Sequence, residues 1–280
     1  MVEGVLLDID GVLTVSWKPL RGAVETIQWL MTEGIEFRLV TNTSSRTRHE
    51  IAMLLERAGM DVGERRILTA VTSAARYLTE SHAGVGCFVV NEGDLREDLE
   101  GVEIVDAPAA GVVLLGGAGP QVGYEDLNAV FRLAVSGVPI VALHRNVRYQ
   151  TADGPALDMG AFIVGLEAAA DARVTVVGKP APAFFAAALT ELGVDARRAA
   201  MVGDDIHSDV LGAQQSGISG VLVRTGKFRS SDLNGNEEPD HVLDDIGQLP
   251  ALLESHWVEG PKSSDDGLAE PLQGLDGVVE

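Results

Sequence analysis

Residues 5–14 read Val5-Leu6-Leu7-Asp8-Ile9-Asp10-Gly11-Val12-Leu13-Thr14. The apolar run before Asp8 shows no polar alternation, the pattern of a strand buried on both faces of a parallel sheet, and it ends in two carboxylates spaced i, i+2. Side chains two apart in extended chain project the same way, so Asp8 and Asp10 share a direction. Like charges that close oppose each other's ionisation unless a cation or a reacting anion stands between them. Gly11 then releases the backbone from the strand and leaves both acids at its carboxyl end, the edge where open α/β sheets bind ligands. Taken alone, Asp-x-Asp fits two solvated acids as well as it fits a site. A calcium loop starting at Asp8 would need Gly at its sixth position and an acid at its twelfth, where Leu13 and Pro19 stand.

Downstream, the chain alternates helical and extended patterns. Ala23, Ile27, Leu30 and Met31 define a helical face that ends at Gly34, and the apolar stretch from Ile35 to Val40 follows at once. That is a βαβ unit, which implies parallel strands. Its second strand runs into Thr41-Asn42-Thr43-Ser44-Ser45, whose hydroxyls and amides suit either an anion or a helix cap. Helices are predicted over 47–58 and 70–81. A second α/β series follows, with strands 85–90, 112–115 and 139–143 and helices 124–135 and 159–170. Strand 174–177 leads into Gly178-Lys179-Pro180 and a helix over 182–192. Strand 199–202 ends in Gly203-Asp204-Asp205-Ile206-His207-Ser208-Asp209, and a helix over 210–216 and a strand over 220–223 complete the first sheet. Gly116-Gly117-Ala118-Gly119-Pro120 lacks the further Gly and the Gly-Lys-Ser/Thr of a nucleotide-binding loop, and reads as an ordinary loop.

Composition bounds the function. The chain has 280 residues, 46% of them hydrophobic, and 42 acids against 21 bases for a net charge of −21. Such an excess of negative charge argues against nucleic acid or an anionic membrane as a partner. No apolar run is long enough to span a bilayer and the N-terminus lacks the pattern of a signal peptide, so the expected location is cytoplasmic. A single cysteine, Cys87, excludes an intrachain disulfide. From about residue 259 onward Gly, Ser, Asp and Pro predominate without periodicity, and residues 259–280 are expected to form a disordered acidic tail.

Asp8 and Asp10, Thr41 and Asn42, Lys179, and Asp204, Asp205 and Asp209 each fall at a strand end or the helix start just beyond it. A parallel sheet gathers such positions at one edge. Several carboxylates with oxygen donors make a site for a hard cation, and a lysine with hydroxyls and amides completes a cradle for a phosphoryl group.

In Asp8-Ile9-Asp10-Gly11-Val12, Thr41-Asn42, Gly178-Lys179-Pro180 and Gly203-Asp204-Asp205-x-x-x-Asp209 the chain resembles the phosphatases of the haloacid dehalogenase superfamily, over about residues 1–250. The resemblance implies an α/β architecture: a doubly wound, Rossmann-like parallel core with an inserted α/β cap. It implies Asp8 as a nucleophile forming an aspartyl-phosphate, and Asp10 as the acid that protonates the leaving group and then activates water. Thr41 and Asn42 would bind phosphoryl oxygens, and Lys179 would neutralise charge between phosphate and Asp8. Mg²⁺ is the implied cofactor, bound by Asp8, Asp204 and the carbonyl of Asp10, with Asp205 and Asp209 as outer or alternative ligands.

The stretch from Thr41 to Lys179 is several times longer than that from Asp8 to Thr41, so the second α/β series is inserted after the second motif. That placement resembles subfamily IIA, the NagD-like and 4-nitrophenylphosphatase group with a large cap. Leu157-Asp158-Met159-Gly160-Ala161, the stretch 176–182 and Arg224-Thr225-Gly226-Lys227-Phe228-Arg229 are most similar to its phospholysine phosphohistidine inorganic pyrophosphate phosphatase branch. The expected division is a core of 1–77 and 174–258 and a cap of 78–173, with a homodimer implied by the resemblance. Specificity is expected in cap loops, at His144, Arg145 and Asp158, on a small phosphorylated substrate. Between Thr72 and Val174 there is no lysine, which favours compact substrates whose leaving groups are neutral or cationic. A phosphotransferase on this scaffold is the alternative, although the related mutases carry a small cap between the first two motifs. A non-catalytic binding protein would be marked by loss of Asp8, Lys179 or Asp204, all present here.

Overall fold

In the structure, a computed structural model that describes residues 2–151, 154–234 and 237–258, Gly4–Asp8 is buried at every position and hydrogen-bonded in parallel on both sides. Beginning with this strand as β1, the chain runs through a hairpin of β2 (Thr14–Val15) and β3 (Lys18–Pro19), α1 (Ala23–Thr32), β4 (Glu36–Thr41), α2 (Arg48–Arg57), β5 (Ile67–Thr69) and α3 (Ala70–Ser81). It continues through β6 (Cys87–Val90), β7 (Val112–Leu115), α4 (Tyr124–Val135), β8 (Ile140–Ala142), the hairpin β9 (Arg148–Thr151) and β10 (Gly154–Leu157), α5 (Met159–Ala170) and β11 (Val174–Val176). α6 (Pro182–Leu192), β12 (Ala199–Gly203), a π-helical turn over Ile206–Leu211, α7 (Gly212–Gln215), β13 (Ser219–Val223), β14 (His241–Leu243) and α8 (Leu249–Val258) follow. The acidic stretch 259–280, expected to be disordered, lies outside the described residues.

Two parallel sheets result. The first has the order β14-β13-β12-β1-β4-β5 and the second β11-β8-β7-β6. β1 shows why the first sheet is covered twice. Val5 and Leu7 pack on one face with Ile27 and Leu30 of α1 and Ile51 and Leu55 of α2, while Leu6 packs on the other with Phe184, Phe185 and Ala188 of α6. The period of two in a strand distributes one apolar run over two cores, and each fully buried side chain of this size contributes about 1.5–3 kcal/mol. The second sheet repeats the arrangement. Val112 and Leu114 face α3, and Val113 and Leu115 face α4 and α5. The α/β fold with a doubly wound parallel core and a second α/β layer is thereby as expected.

Two assignments change. Strand Val174–Val176, expected to open the returning half of the core, pairs in parallel with β8 of the second sheet. Helix α3, expected to straddle the boundary at 77/78, buries Ala70, Val71, Ala74, Ala75 and Leu78 against Val112, Leu114 and Val141 of the second sheet. Apolar periodicity reports that a face is buried, not which sheet buries it. We propose that the inserted unit runs from about Ala70 to Val177 and not from 78 to 173. β5, the two hairpins and β14 are too short for a pattern of their own, and the sequence reading passed over them.

Candidate active site

β1 delivers Asp8, 5% exposed, to the carboxyl edge of the first sheet. β12, its neighbour, delivers Asp204, and the π-helical turn beyond swings Asp209 back to the same point, each 1% exposed. The turn is wide because both the Asp209 and Val210 amides donate to the Asp205 carbonyl, at 3.0 and 3.4 Å. This replaces the start of the regular helix expected over 210–216, and such π turns concentrate at functional sites. One carboxylate oxygen from each of Asp8, Asp204 and Asp209 lies within 4.8 Å of the others. Gly203, at the end of β12, leaves room for this, since a Cβ there would stand 2.1 Å from that of Asp209.

Lys179 enters the cluster from the turn before α6. Its Nζ donates to Asp8 Oδ1 at 2.6 Å and to the Val40 carbonyl at 3.3 Å, and it pairs with Asp209 Oδ1 at 2.7 Å. Burial opposes the ammonium charge, but Asp209 and Asp8 more than offset it and hold Lys179 above the ordinary lysine range. Asn42 holds this lysine by its backbone, with Oδ1 accepting from the Lys179 amide and Nδ2 donating to its carbonyl, both at 2.9 Å. The Thr41 hydroxyl accepts from the Thr43 amide at 3.0 Å and meets the Thr43 hydroxyl at 2.9 Å, which shapes the loop following β4.

Burial, then Asp8 and Asp209, push the Asp204 carboxyl up, and Lys227 pulls it only part of the way back. Asp209 is also raised, by burial first, with Lys179 opposing and Asp8 adding to it. Asp205 behaves differently. Burial alone would raise it, but Lys227 and the amides of Ser208 and His207, which donate to Oδ1 at 3.1 Å each, hold it below the usual carboxylate range. It caps the π-helical turn and is not part of the three-carboxylate cluster. Asp10 is exposed at the surface, with protein packed close enough around it to desolvate its carboxyl in part. That crowding raises its carboxyl, against Lys227 and Lys179.

The residues fit a hard divalent cation. Asp204 Oδ1 is fully buried with no hydrogen-bond partner among the described residues, an arrangement costly for an anion unless a cation completes it. Asp204 Oδ2 accepts from the Lys227 amide at 2.7 Å. Two glycines at positive φ, Gly11 (92°) and Gly226 (59°), close over the same oxygen, which a Cβ would approach to 1.9 and 2.0 Å respectively.

The second sheet's loops reach this edge. His144, offered by the sequence as either a cleft or a solvated residue, is 3% exposed, with Nε2 3.9 Å from Asp158 Oδ2 and Nδ1 facing the Asn146 amide at 3.3 Å. Burial lowers its pKa, Asp158 opposes this, and Lys227 reinforces it. Asp158 caps α5, its Oδ1 accepting from the Met159 and Ala118 amides at 2.8 and 3.1 Å. Arg145 does not join them. Its guanidinium is engaged with both oxygens of Glu167 on α5, at 2.9 and 2.5 Å. The carboxylate on α5 holds Arg145 at the surface, while His144 beside it is buried. Asp98, 4% exposed, accepts from the Arg48 amide at 2.7 Å and Nε at 3.0 Å, and Asn91 Nδ2 donates to the Ser44 carbonyl at 2.9 Å. These contacts tie the second unit to the loop that carries Thr41 and Asn42.

Sequence reasoning did not place Lys227, Thr225, Asn91 or Asp98 at the site. For Lys227 a signal was present, since it is one of only four lysines and follows a strand end, β13, on the same edge.

A family profile described as haloacid dehalogenase-like hydrolase matches residues 5–105, and a second, HAD-hydrolase-like profile matches residues 176–249. The chain is 37% identical over 241 residues to haloacid dehalogenase-like hydrolase domain-containing protein 2 of Pongo abelii, covering 86% of this chain and 91% of that protein. The chain belongs to the haloacid dehalogenase-like hydrolase family. Within the family it falls in subfamily IIA and is a phosphohydrolase. It is 33% identical over 262 residues to human phospholysine phosphohistidine inorganic pyrophosphate phosphatase, covering 91% and 95% of the two chains. Its fold superposes on a p-nitrophenyl phosphatase from Archaeoglobus fulgidus with a TM-score of 0.84 at 30% identity, covering 90% of this chain and 99% of that one. The Asp8–Asp204–Asp209 cluster and Lys179 lie together at the carboxyl edge of the first sheet.

Proposed function

We propose that the chain is a Mg²⁺-dependent phosphatase acting through an aspartyl-phosphate at Asp8 on a small phosphorylated compound, whether a phosphoester, pyrophosphate or a phosphoamidate. The observation that carries this reading is the buried cluster of Asp8, Asp204 and Asp209 with Lys179 2.6 Å from Asp8. Such a set of carboxylates is destabilising as a structural feature and useful only to a cation and a transferring phosphoryl group. Asp8 and Asp204, with Asp209 beside them, would hold Mg²⁺, which when bound would offset the negative charge of the phosphoryl oxygens.

A carboxylate oxygen of Asp8 attacks phosphorus, the bond to the leaving oxygen or nitrogen breaks, and the leaving atom takes a proton from Asp10. Burial raises the proton affinity of Asp10, which suits it to carry the proton that the leaving atom takes. Water, deprotonated by Asp10, then attacks the same phosphorus and breaks its bond to Asp8. Inorganic phosphate leaves and Asp10 is again protonated. Lys179, immobilised by Asp209, Val40 and the Asn42 clamp, keeps a fixed positive charge beside Asp8 throughout. Thr41, with the amide of Asn42, would receive phosphoryl oxygens.

The test is hydrolysis of 4-nitrophenyl phosphate with and without Mg²⁺, in wild type and Asp8→Asn. Turnover that requires Mg²⁺ and disappears in the folded variant supports the reading. Turnover surviving in Asp8→Asn overturns it.

A further inference from the structure

Lys227 stands beside the cluster but is not used by the chemistry above. Its root is rigid. The amide is bound by Asp204 Oδ2 at 2.7 Å, Gly226 packs against Asp204 and Gly11, and the Thr225 hydroxyl donates to the Gly11 carbonyl at 2.5 Å. The loop following β13 is thus joined to the loop following Asp10. The side chain beyond that root is 58% exposed, and its nearest anion is Asp205 Oδ2 at 3.5 Å. Asp205 is also held by two backbone amides on its other oxygen, so the ammonium is not its sole partner. An exposed pair of this kind contributes about 0–1 kcal/mol.

Lys179 cannot serve a ligand on the far side of the scissile bond. It is 3% exposed and engaged with Asp8, Asp209 and Val40. Lys227 carries a compact charge on a flexible stem with donors to spare. The Thr225–Gly11 bond seats its loop against the one that follows Asp10, the group that serves the leaving atom.

We propose that Lys227 is a specificity-determining residue whose ammonium binds an anionic oxygen on the leaving side of the scissile bond. The chain would then favour phosphorylated compounds whose leaving group itself bears negative charge next to that bond, with pyrophosphate as the simplest. This rests on the phosphatase reading and reverses the preference for neutral or cationic leaving groups that the lysine-poor cap implied. The bridging P–O bond breaks, Asp10 protonates the bridging oxygen as it departs, and Lys227 remains charged, releasing its hold when hydrogen phosphate leaves.

The experiment compares kcat/KM for pyrophosphate and 4-nitrophenyl phosphate at fixed Mg²⁺ in wild type, Lys227→Gln and Lys227→Arg. It also includes calorimetric binding of methylenediphosphonate and phenylphosphonate to the same three proteins. A charge-assisted hydrogen bond is worth about 10- to 10²-fold, so Lys227→Gln should lose at least about tenfold more on pyrophosphate than on 4-nitrophenyl phosphate. Affinity for the diphosphonate should fall in the same ratio relative to phenylphosphonate, and Lys227→Arg should restore most of both. Equal losses on the two substrates would overturn the proposal and make Lys227 a positioning residue for Asp204. No loss on either would make it only a counter-ion of Asp205. If wild type hydrolyses neither substrate, the phosphatase reading fails, and the diphosphonate-to-phenylphosphonate ratio still decides the role of Lys227.

Discussion

The carboxamide of Asn42 clamps the backbone of Lys179, donating to its carbonyl and accepting from its amide at 2.9 Å each. The loop after β4 thereby fixes the lysine that faces Asp8 across the sheet edge. Asn42→Ala removes both bonds while leaving every charge in place. We expect kcat on 4-nitrophenyl phosphate to fall by about 10²-fold, the usual cost of an ångström of misplacement, with a smaller change in KM. Steady-state kinetics with Mg²⁺ checks it, and a loss below threefold would show that Lys179 is held in other ways.

Asp204 and Asp209 are raised in the fold, to about 8 and about 6, chiefly by burial. Acids raised on folding bind protons more tightly in the native state. Their stabilising contribution is therefore full below the unfolded carboxylate pKa and is lost as pH rises through the folded values. Metal-free protein should lose stability between about pH 4 and pH 8 from this source. Asp204→Asn should flatten that decline and raise metal-free stability near neutral pH by about 1–3 kcal/mol, while abolishing stabilisation by Mg²⁺. Thermal unfolding against pH, with chelator and with Mg²⁺, measures all three.

Gly226→Ala places a methyl group 2.0 Å from Asp204 Oδ2 at a backbone φ of 59°. Gly34→Ala meets nothing within 4 Å at a φ of 67°. Both incur backbone strain of about 1 kcal/mol, but only Gly226→Ala should also displace Asp204 and weaken Mg²⁺ binding. Calorimetric titration of Mg²⁺ into both variants separates strain from site damage.

Asp98 receives the Arg48 amide and side chain and so ties the inserted unit to the loop bearing Thr41. Asp98→Ala leaves the Arg48 amide without that acceptor and should cost about 1–3 kcal/mol of stability. We also expect a raised KM, because this contact joins the second unit to the start of α2, next to the loop that bears Thr41 and Asn42. Denaturant unfolding and steady-state kinetics test the two effects separately.

Much of the site was legible because parallel strands end at a common edge. Asp8, Asp204 and Lys179 could be grouped from pattern alone, before any contact was known. Asp209 was expected, from the family resemblance, as an outer or alternative ligand, and the π-helical turn that swings it onto Lys179 leaves no trace in the apolar spacing. His144 and Arg145 illustrate the remaining limit. They are neighbours with opposite fates, and what separates them is Glu167 on a helix 22 residues away. The bounds of the inserted unit are hard to read for a related reason, since α3 and β11 have the right periodicity for either sheet and only pairing distinguishes the two.

The central claim is that Asp8 becomes phosphorylated. Asp10→Asn should slow breakdown of that intermediate by about 10²–10⁴-fold, enough for it to accumulate. Rapid-quench peptide mass spectrometry of Asp10→Asn, mixed with Mg²⁺ and 4-nitrophenyl phosphate, is the most direct measurement. The account predicts one added phosphoryl group on the peptide containing Asp8, absent from the Asp8→Asn, Asp10→Asn double variant. A phosphoryl group on any other residue, or product release from Asp8→Asn protein at the wild-type rate, would contradict it.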